Sequence, residues 1–198
     1  TLRDVFMPLY KVIMLFAVTD YFTISEKAAQ FMFPKSIFRK KKYQLVRNGI
    51  DTDEFLFSEE DRKKVRIELG VEDKVVVGHI GRFVYQKNHE FILRTFEDYH
   101  KTNPNSVLLL VGEGELPDSM KNLARELDVF DEVIFYGVTH DVRKVLLAMD
   151  VFIFPSRFEG LGIAAIEAQA NGFLTLCADS IVEEVNVTDR FVRVHGWD

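Results

Sequence analysis

Two carboxylates stand eight positions apart in the chain, at Glu159 and Glu167. Glu159 belongs to a glycine-rich segment, whereas Glu167 lies inside the apolar segment 163–170, whose pattern predicts a helix. A carboxylate on so apolar a helix is costly to bury unless hydrogen-bond donors reach it, and ligand hydroxyls are one source of donors. The pattern therefore favours Glu167 as an acceptor for ligand hydroxyls. In the alternative interpretation, Glu159 is a solvated loop acid and Glu167 is a surface acid beside a lysine.

The elements around these acids would place them at the edge of a sheet. Residues 150–154 predict a short buried strand, and the helix should begin near Gly160 or Gly162 and stop at Asn171-Gly172. Residues 155–161 then form a strand-to-helix loop, which is where α/β sheets bind their ligands. The N–H groups at the helix start, near Gly162 and Ile163, favour an anion there.

The rest of the chain predicts an α/β fold with a doubly wound, Rossmann-like parallel sheet. Apolar strand-like runs alternate with helix-like segments, the strands at 74–80, 106–111, 132–136, 151–154 and 173–177, and the helices near 88–102, 115–128, 140–148 and 162–171. This alternation is typical of a parallel sheet with crossover helices. A short N-terminal appendage precedes it, with a helix, a strand at 21–24 and a second helix capped by Ser25.

Composition narrows the class of protein. The chain has 198 residues, 47% of them hydrophobic and 28% charged, with a net charge of −6, which fits a globular protein and argues against a nucleic-acid binder. Cys177 is the single cysteine, so no intramolecular disulfide can form and a reducing cytoplasm is predicted. The apolar stretch 6–18 contains Pro8 and Lys11 and is shorter than the roughly 20 residues of a membrane-spanning helix.

Histidines and basic residues suggest no further chemistry by themselves. The five histidines are scattered without ligand spacing, so no metal site is predicted, and His79 is expected to be a core histidine. The basic run 35–42 has two interpretations, a solvated loop or a segment that lies against anionic lipid headgroups.

Residues 155–168 resemble the E-x7-E signature of retaining GT-B glycosyltransferases of family 4. The family pattern is close to P-S-x-x-E-G-[FL]-G-x-x-x-x-E-A, and the matching positions are Pro155, Ser156, Glu159, Gly160, Leu161, Gly162, Glu167 and Ala168. Further landmarks of the family recur in the same order at 48–51, at 78–82 with Lys87 five residues on, at 111–114 and at 135–137. The segments 86–89 and 167–170 are similar to those of bacterial enzymes that build exopolysaccharide or capsule.

The resemblance implies one half of a GT-B fold. Residues 1–47 would be the tail of the N-terminal domain and the interdomain connection, and residues 48–198 a C-terminally truncated donor-nucleotide-binding domain. The acceptor-binding domain would be missing, so the isolated chain is expected to turn over little or nothing.

The resemblance also implies roles for individual residues. Arg82 and Lys87 would neutralise the donor diphosphate, on which negative charge grows as the glycosidic bond breaks. Glu159 would lie near the transferred sugar, and Glu167 would accept from the ribose hydroxyls. The remaining donor contacts would come from main-chain groups, at Gly162 and Ile163 beside the sugar and at Gly137 and Val138 beside the base. Neither a metal nor another cofactor is expected, because Arg82 and Lys87 would replace Mg²⁺.

The implied partners follow from these roles. The donor would be a nucleotide-diphosphate sugar, with UDP-sugar favoured, and the acceptor a saccharide or a lipid-linked saccharide bound through the missing domain. The expected location is the cytoplasm, including the inner face of the plasma membrane. Two alternatives stay open, a non-catalytic α/β nucleotide-binding or interaction module, and an epimerase or phosphorylase that shares the GT-B plan.

Overall fold

The structure is a computed structural model that describes residues 2–196, with side chains from residue 6 onward. Thr1 and residues 197–198, which the predicted domain bounds include, lie outside the described residues. The chain divides into two compact units, Thr1–Gly49 and Ile50–Asp198. The assignment of these units to the two domains of a larger enzyme stays a prediction.

The first unit is built from short elements around a small core. Its helices are α1 (Leu2–Ala17), α2 (Glu26–Met32) and α3 (Lys35–Arg39), and its strands β1 (Phe22–Thr23) and β2 (Gln44–Leu45) pair in parallel. The core consists of Met14, Tyr21, Ala29 and Phe33. Ser25 caps α2 as predicted, because its hydroxyl accepts from the Ala28 N–H at 3.1 Å. No helix in the described part of the chain is long and apolar enough to cross a membrane.

The basic run of this unit is partly helical, which the sequence did not predict. Residues 35–39 form α3, and Ile37 and Phe38 within it pack against the core of the unit. The N–H groups of both residues donate to the Pro34 carbonyl at 3.0 Å. Apolar packing of two residues inside the run therefore orders a segment whose charges alone suggested a loop.

The second unit is a six-stranded parallel sheet with helices, and it confirms the predicted α/β doubly wound fold. Its elements in chain order are α4 (Glu59–Leu69), β3 (Val75–Ile80), α5 (His89–Thr102), β4 (Ser106–Val111), α6 (Pro117–Glu126), β5 (Val133–Gly137), α7 (Val142–Ala148), β6 (Val151–Phe154), α8 (Ile163–Ala170), β7 (Leu174–Ala178) and β8 (Phe191–Val194). The strand order is β5-β4-β3-β6-β7-β8, and each neighbouring pair is parallel. β8 was not predicted, because Arg193 interrupts the apolar run of this four-residue edge strand.

The core of this unit lies around its central strands. Every residue of β4 is buried, and Leu108, Leu109 and Leu110 are fully inaccessible. A continuous apolar run of this kind is typical of a parallel strand that is covered on both faces. Cys177 is buried in β7, as the sequence indicated, and burial raises the pKa of its thiol to about 12.

The strand order creates a switch point between β3 and β6. From β3 the chain proceeds to β4 and β5 on one side, and then returns to place β6 on the other side of β3. The loops that leave the carboxyl ends of β3 and β6 therefore lie side by side. In open α/β sheets a ligand binds in the crevice at such a point. The predicted cations follow β3 and the predicted acids follow β6.

Candidate functional site

Glycines bring the loops after β3 and β4 into close backbone contact. A Cβ atom on Gly112, whose φ is +140°, would lie 2.2 Å from the Gly81 carbonyl oxygen. A Cβ atom on Gly114 would lie 2.5 Å from the Phe83 carbonyl oxygen. Phe83 and Gly114 form an isolated parallel bridge at this place. No side chain therefore fits at position 112 or position 114.

A cavity of about 610 Å³ lies beside these loops. Its lining brings together two residues that the sequence singled out, Arg82 and Gly137, with seven others, Phe83, Gly112, Glu113, Gly114, Pro117, Lys121 and Phe135. Arg82 is exposed and forms no ion pair within the described residues. Gly137 ends β5 with a φ of +81°, and its carbonyl accepts from the Gly112 N–H at 2.8 Å. Val138 follows it and is 55% exposed.

Lys121 is a candidate that sequence reasoning missed. It lies on α6, lines the cavity, and holds its amine 5.8 Å from the centroid of the Phe135 ring. The cavity therefore has a second cation besides Arg82. The sequence carries no signal for it, because α6 resembles any amphipathic surface helix and only the fold places its start beside the β5 loop.

Lys87 and Glu159 form a direct ion pair across the switch point. The Lys87 Nζ and Glu159 Oε1 atoms are 2.7 Å apart, and the two side chains are only 16% and 10% exposed. Lys87 ends a short 3-10 helix, Tyr85–Lys87, and its amine lies 5.0 Å from the centroid of the Phe154 ring. The structure thus brings a predicted cation and a predicted acid from separate loops into contact.

Hydrogen bonds hold the two loops together on either side of that pair. The Gln86 side chain donates to the Phe158 carbonyl at 2.8 Å, and the Arg157 N–H donates to the Gln86 carbonyl at 2.8 Å. The Arg157 guanidinium donates to Asn88 Oδ1 at 2.8 Å and lies 4.5 Å from the centroid of the Tyr85 ring. We call these five residues the loop clasp. The sequence offered segment 86–89 only as a family landmark and gave no sign of its partners.

The start of α8 lies at the same edge of the sheet. Gly162 is the N-cap with a φ of +101°, and none of the described side chains caps the helix there. A Cβ atom on Gly162 would lie 3.0 Å from the Phe154 ring, so the conformation favours glycine and the ring leaves little room for a side chain. Ile163, the first residue of the helix, is 38% exposed. The start of a helix without a side-chain cap favours an anion.

Glu167 is half-buried on α8, and its carboxylate has no hydrogen-bond or ion-pair partner in the part of the chain that the structure describes. Burial raises the pKa of Glu167 above its ordinary value. By contrast, Gln169 on the same helix donates to the Ala165 and Val185 carbonyls at 2.8 Å each. The polar residue with a structural role is therefore satisfied, whereas Glu167 is left without donors. No direct bond joins Glu167 to Arg82 or Lys87 among the described side chains.

Two buried histidines lie beneath the β3 loop. His79 Nδ1 donates to the Ile153 carbonyl at 2.8 Å, and the His89 ring stacks on Phe83 at 4.1 Å between centroids. The His79 Nε2 atom and both His89 ring nitrogens have no hydrogen-bond partner in the part of the chain that the structure describes. Burial lowers the pKa of His79 well below its ordinary value and that of His89 to about 4, and the charge of Lys87 adds to both shifts. Both rings are therefore neutral at pH 7.

The predicted core histidine at position 79 is confirmed by its complete burial, and one of its two ring nitrogens has no partner among the described residues. Among residues 6–196, no group of three or more His, Cys, Asp or Glu side chains is placed to hold a metal ion.

Comparisons with known proteins give the family and the fold. The family model described as "Glycosyl transferases group 1" matches residues 59–195. EpsF of Bacillus subtilis is 31% identical over 162 residues, which cover 81% of this chain and 42% of that protein. The UDP-Gal:alpha-D-GlcNAc-diphosphoundecaprenol alpha-1,3-galactosyltransferase of Escherichia coli is 29% identical over 157 residues, which cover 77% of this chain and 39% of that protein. This chain therefore spans less than half the length of these relatives.

A solved structure shows the same architecture. The crystal structure of HepE from Anabaena in complex with UDP and glucose superposes with a TM-score of 0.82 at 21% identity, and the match covers 98% of this chain and 53% of that one. At this level of identity the likeness shows the fold, in which the six-stranded unit corresponds to a C-terminal Rossmann-like domain of the GT-B type.

Proposed function

Because this chain belongs to the glycosyl transferases group 1 family, we propose that it is the donor-binding part of a retaining family 4 glycosyltransferase. The whole enzyme would transfer a sugar from a nucleotide-diphosphate sugar to a saccharide or lipid-linked acceptor. The observation that carries the proposal is the meeting of Lys87 and Glu159 at the switch point, beside a cavity that Arg82 and Gly137 share.

The charges at the carboxyl edge of the sheet suit a diphosphate leaving group. As the glycosidic bond breaks, negative charge grows on the diphosphate, and fixed positive groups stabilise it most where water is excluded. Arg82 would supply a planar fork of donors, Lys87 a point charge, and the start of α8 its N–H groups. No divalent cation is needed in this arrangement, and the leaving phosphate itself would take the proton of the acceptor hydroxyl.

The remaining contacts would bind the other parts of the donor, which are the transferred sugar, the ribose and the base. Glu159 would face the transferred sugar, together with the main chain at Gly162 and Ile163. Glu167, half-buried and without protein donors, would accept from the ribose hydroxyls. The base would reach the cavity at the end of β5, where Gly137 and Val138 offer main-chain groups.

We favour a UDP-sugar as the donor and a lipid-linked saccharide as the acceptor. The HepE structure holds UDP and glucose, and the name of the Escherichia coli relative gives a UDP-sugar and a diphosphoundecaprenol acceptor. The resemblance of segments 86–89 and 167–170 supports a role in exopolysaccharide or capsule assembly, in the cytoplasm at the inner face of the membrane. The missing acceptor-binding part would leave this chain able to bind nucleotide but inactive.

Calorimetric titration with UDP tests the proposal. We expect Arg82→Ala to weaken UDP binding about tenfold or more, because a charge-assisted hydrogen bond contributes about 1.5–3 kcal/mol. Arg94→Ala is the matched control, since it removes the same charge from an exposed site on α5. UDP should also shift the NMR signals of Arg82, Lys87, Glu159 and Glu167. If neither UDP nor GDP gives heat or shifts, a non-catalytic interaction module is the better description.

A further inference from the structure

The Lys87–Glu159 ion pair lies where the proposed function places the donor diphosphate. The two cations assigned to that diphosphate differ in one respect. Arg82 is exposed and has no ion-pair partner among the described residues, whereas Lys87 is held by Glu159 at 2.7 Å with both side chains largely buried. A diphosphate can therefore bind Arg82 directly, whereas it must displace the Glu159 carboxylate in order to pair with Lys87.

The surroundings allow this exchange by side-chain motion alone. The loop clasp fixes the backbone on both sides of the pair through Gln86 and Arg157. The Lys87 stem passes over Gly81, where a Cβ atom would lie 3.2 Å from the lysine Cδ atom. The absence of a side chain at position 81 leaves the stem beside the Arg82 turn. Lys87 can thus turn its amine from Glu159 toward a ligand at that turn.

The consequence for Glu159 is a change of partner. Once a diphosphate holds Lys87, the buried carboxylate loses its donor, and an unpaired buried carboxylate is costly. The hydroxyls of the donor sugar can replace the lost donor, because Glu159 lies in the loop that the proposed function places beside that sugar. A nucleoside diphosphate without a sugar has no hydroxyl to offer there.

We propose, on the basis of the proposed function, that Glu159 is a specificity-determining residue that acts by exchange. The diphosphate displaces Glu159 from Lys87, and the released carboxylate then binds the sugar hydroxyls. Glu159 therefore weakens the binding of the free nucleotide more than that of the nucleotide sugar. The intact donor is retained and the nucleotide product is released.

The test compares UDP with UDP-glucose and UDP-galactose by calorimetry on this chain. Glu159→Gln removes the charge that competes for Lys87, so we expect UDP to bind about tenfold more tightly. We also expect the affinity advantage of the better nucleotide sugar over UDP to disappear in this variant. Glu132→Gln is the matched control, because Glu132 pairs with Lys74 at 3.1 Å at the opposite edge of the sheet. It should change UDP affinity by no more than about twofold.

A double variant separates the exchange from a general charge effect. In a Lys87→Ala background, Glu159→Gln should leave UDP affinity unchanged, since the lysine for which the carboxylate competes is absent. If Glu159→Gln does not fold, Glu159→Asp, which withdraws the carboxylate by one methylene, should give a smaller gain. Weaker or unchanged UDP binding by the folded variant overturns the inference, as does an equal gain in Glu132→Gln. The proposed function survives both results, and it fails only if wild type binds no nucleotide.

Discussion

The two edges of the central sheet each carry a cluster of charged side chains between β3 and β6, and the clusters differ in how completely they are satisfied. At the amino edge, Asp150 accepts from Arg66 at 3.1 Å, from the Val76 N–H at 2.8 Å and from Arg62. Arg62 also donates to the Leu147 carbonyl at 2.8 Å, and Arg66 donates to the Ala148 carbonyl at 2.7 Å. Both arginines thus link α4 to the C-terminal end of α7 through hydrogen bonds.

The carboxyl edge has the same kinds of residue and many fewer bonds. Lys87 and Glu159 satisfy each other, but Arg82 and Glu167 have no charged partner among the side chains described. Among the described residues, six buried side-chain atoms have no hydrogen-bond partner: four of them lie here, on Ser156, His79 and His89, and two belong to Asn171 at the end of α8, near the amino edge. Buried polar groups are usually hydrogen-bonded, so unsatisfied groups concentrated at one edge indicate a place for a ligand. Charge alone does not distinguish a structural cluster from a binding site, whereas completeness of bonding does.

Asp150→Ala should have the largest effect. It should lower the free energy of unfolding through the amino edge and leave the binding site at the carboxyl edge unchanged. It leaves two largely buried arginines without their carboxylate, and losses of this kind typically cost about 3–5 kcal/mol in the free energy of unfolding. Urea unfolding measures the loss. Asp131→Ala, at an exposed site, should cost less than about 0.5 kcal/mol. At a temperature where the variant is folded, its UDP affinity should equal that of wild type. A loss below about 1 kcal/mol would contradict the structural role.

Glu167→Gln should weaken UDP binding and at the same time stabilise the free protein. We expect UDP affinity to fall about tenfold, because the ribose loses a charged acceptor. The free protein should become more stable at pH 7, since burial raises the pKa of Glu167 and ionisation opposes folding. In wild type that penalty is absent below the ordinary pKa and grows as pH rises through the raised one.

Urea unfolding at pH 4 and pH 7 measures the stability effect of Glu167→Gln. Glu90, which is exposed, supplies a control. Glu90→Gln should leave UDP affinity unchanged and should not raise the free energy of unfolding at pH 7 relative to pH 4 as Glu167→Gln does. If the Glu167→Gln variant is less stable at pH 7 and binds UDP as wild type does, Glu167 has a structural role and does not bind the ribose.

At pH 7 His89→Leu should have the smallest effect of the three, because the influence of His89 lies in the acid limb of stability. The pKa of His89 is lowered to about 4, so the unfolded chain binds a proton that the folded protein refuses between about pH 6.5 and 4. This residue therefore reduces stability as pH falls through that window, by up to about 1.4 kcal/mol per pH unit. The variant should show a shallower loss in urea unfolding across the window. His140→Leu, at an exposed position, should keep the wild-type slope.

Local sequence features predicted local structure well. The hydroxyl of Ser25 caps α2 at 3.1 Å, and Gly172 stops the segment after α8 with a φ of +86°. In each case a few neighbouring residues decide the backbone, so the pattern is readable without the fold. The alternation of apolar runs and helices likewise indicated the α/β class. The edge strand β8 was not predicted because Arg193 interrupts its apolar run, and α3 was not predicted because it lies within the basic run 35–42.

By itself, the sequence determined the parallel α/β fold, the loops after β3 and β6, and the residue types that those loops carry. Only the tertiary structure decided that Lys87 meets Glu159, that Lys121 lines the cavity with Arg82, and that the charges around Asp150 are satisfied. The physical reason is distance along the chain. Periods and caps depend on residues within a turn or two, whereas the partners of a side chain depend on strand order and packing.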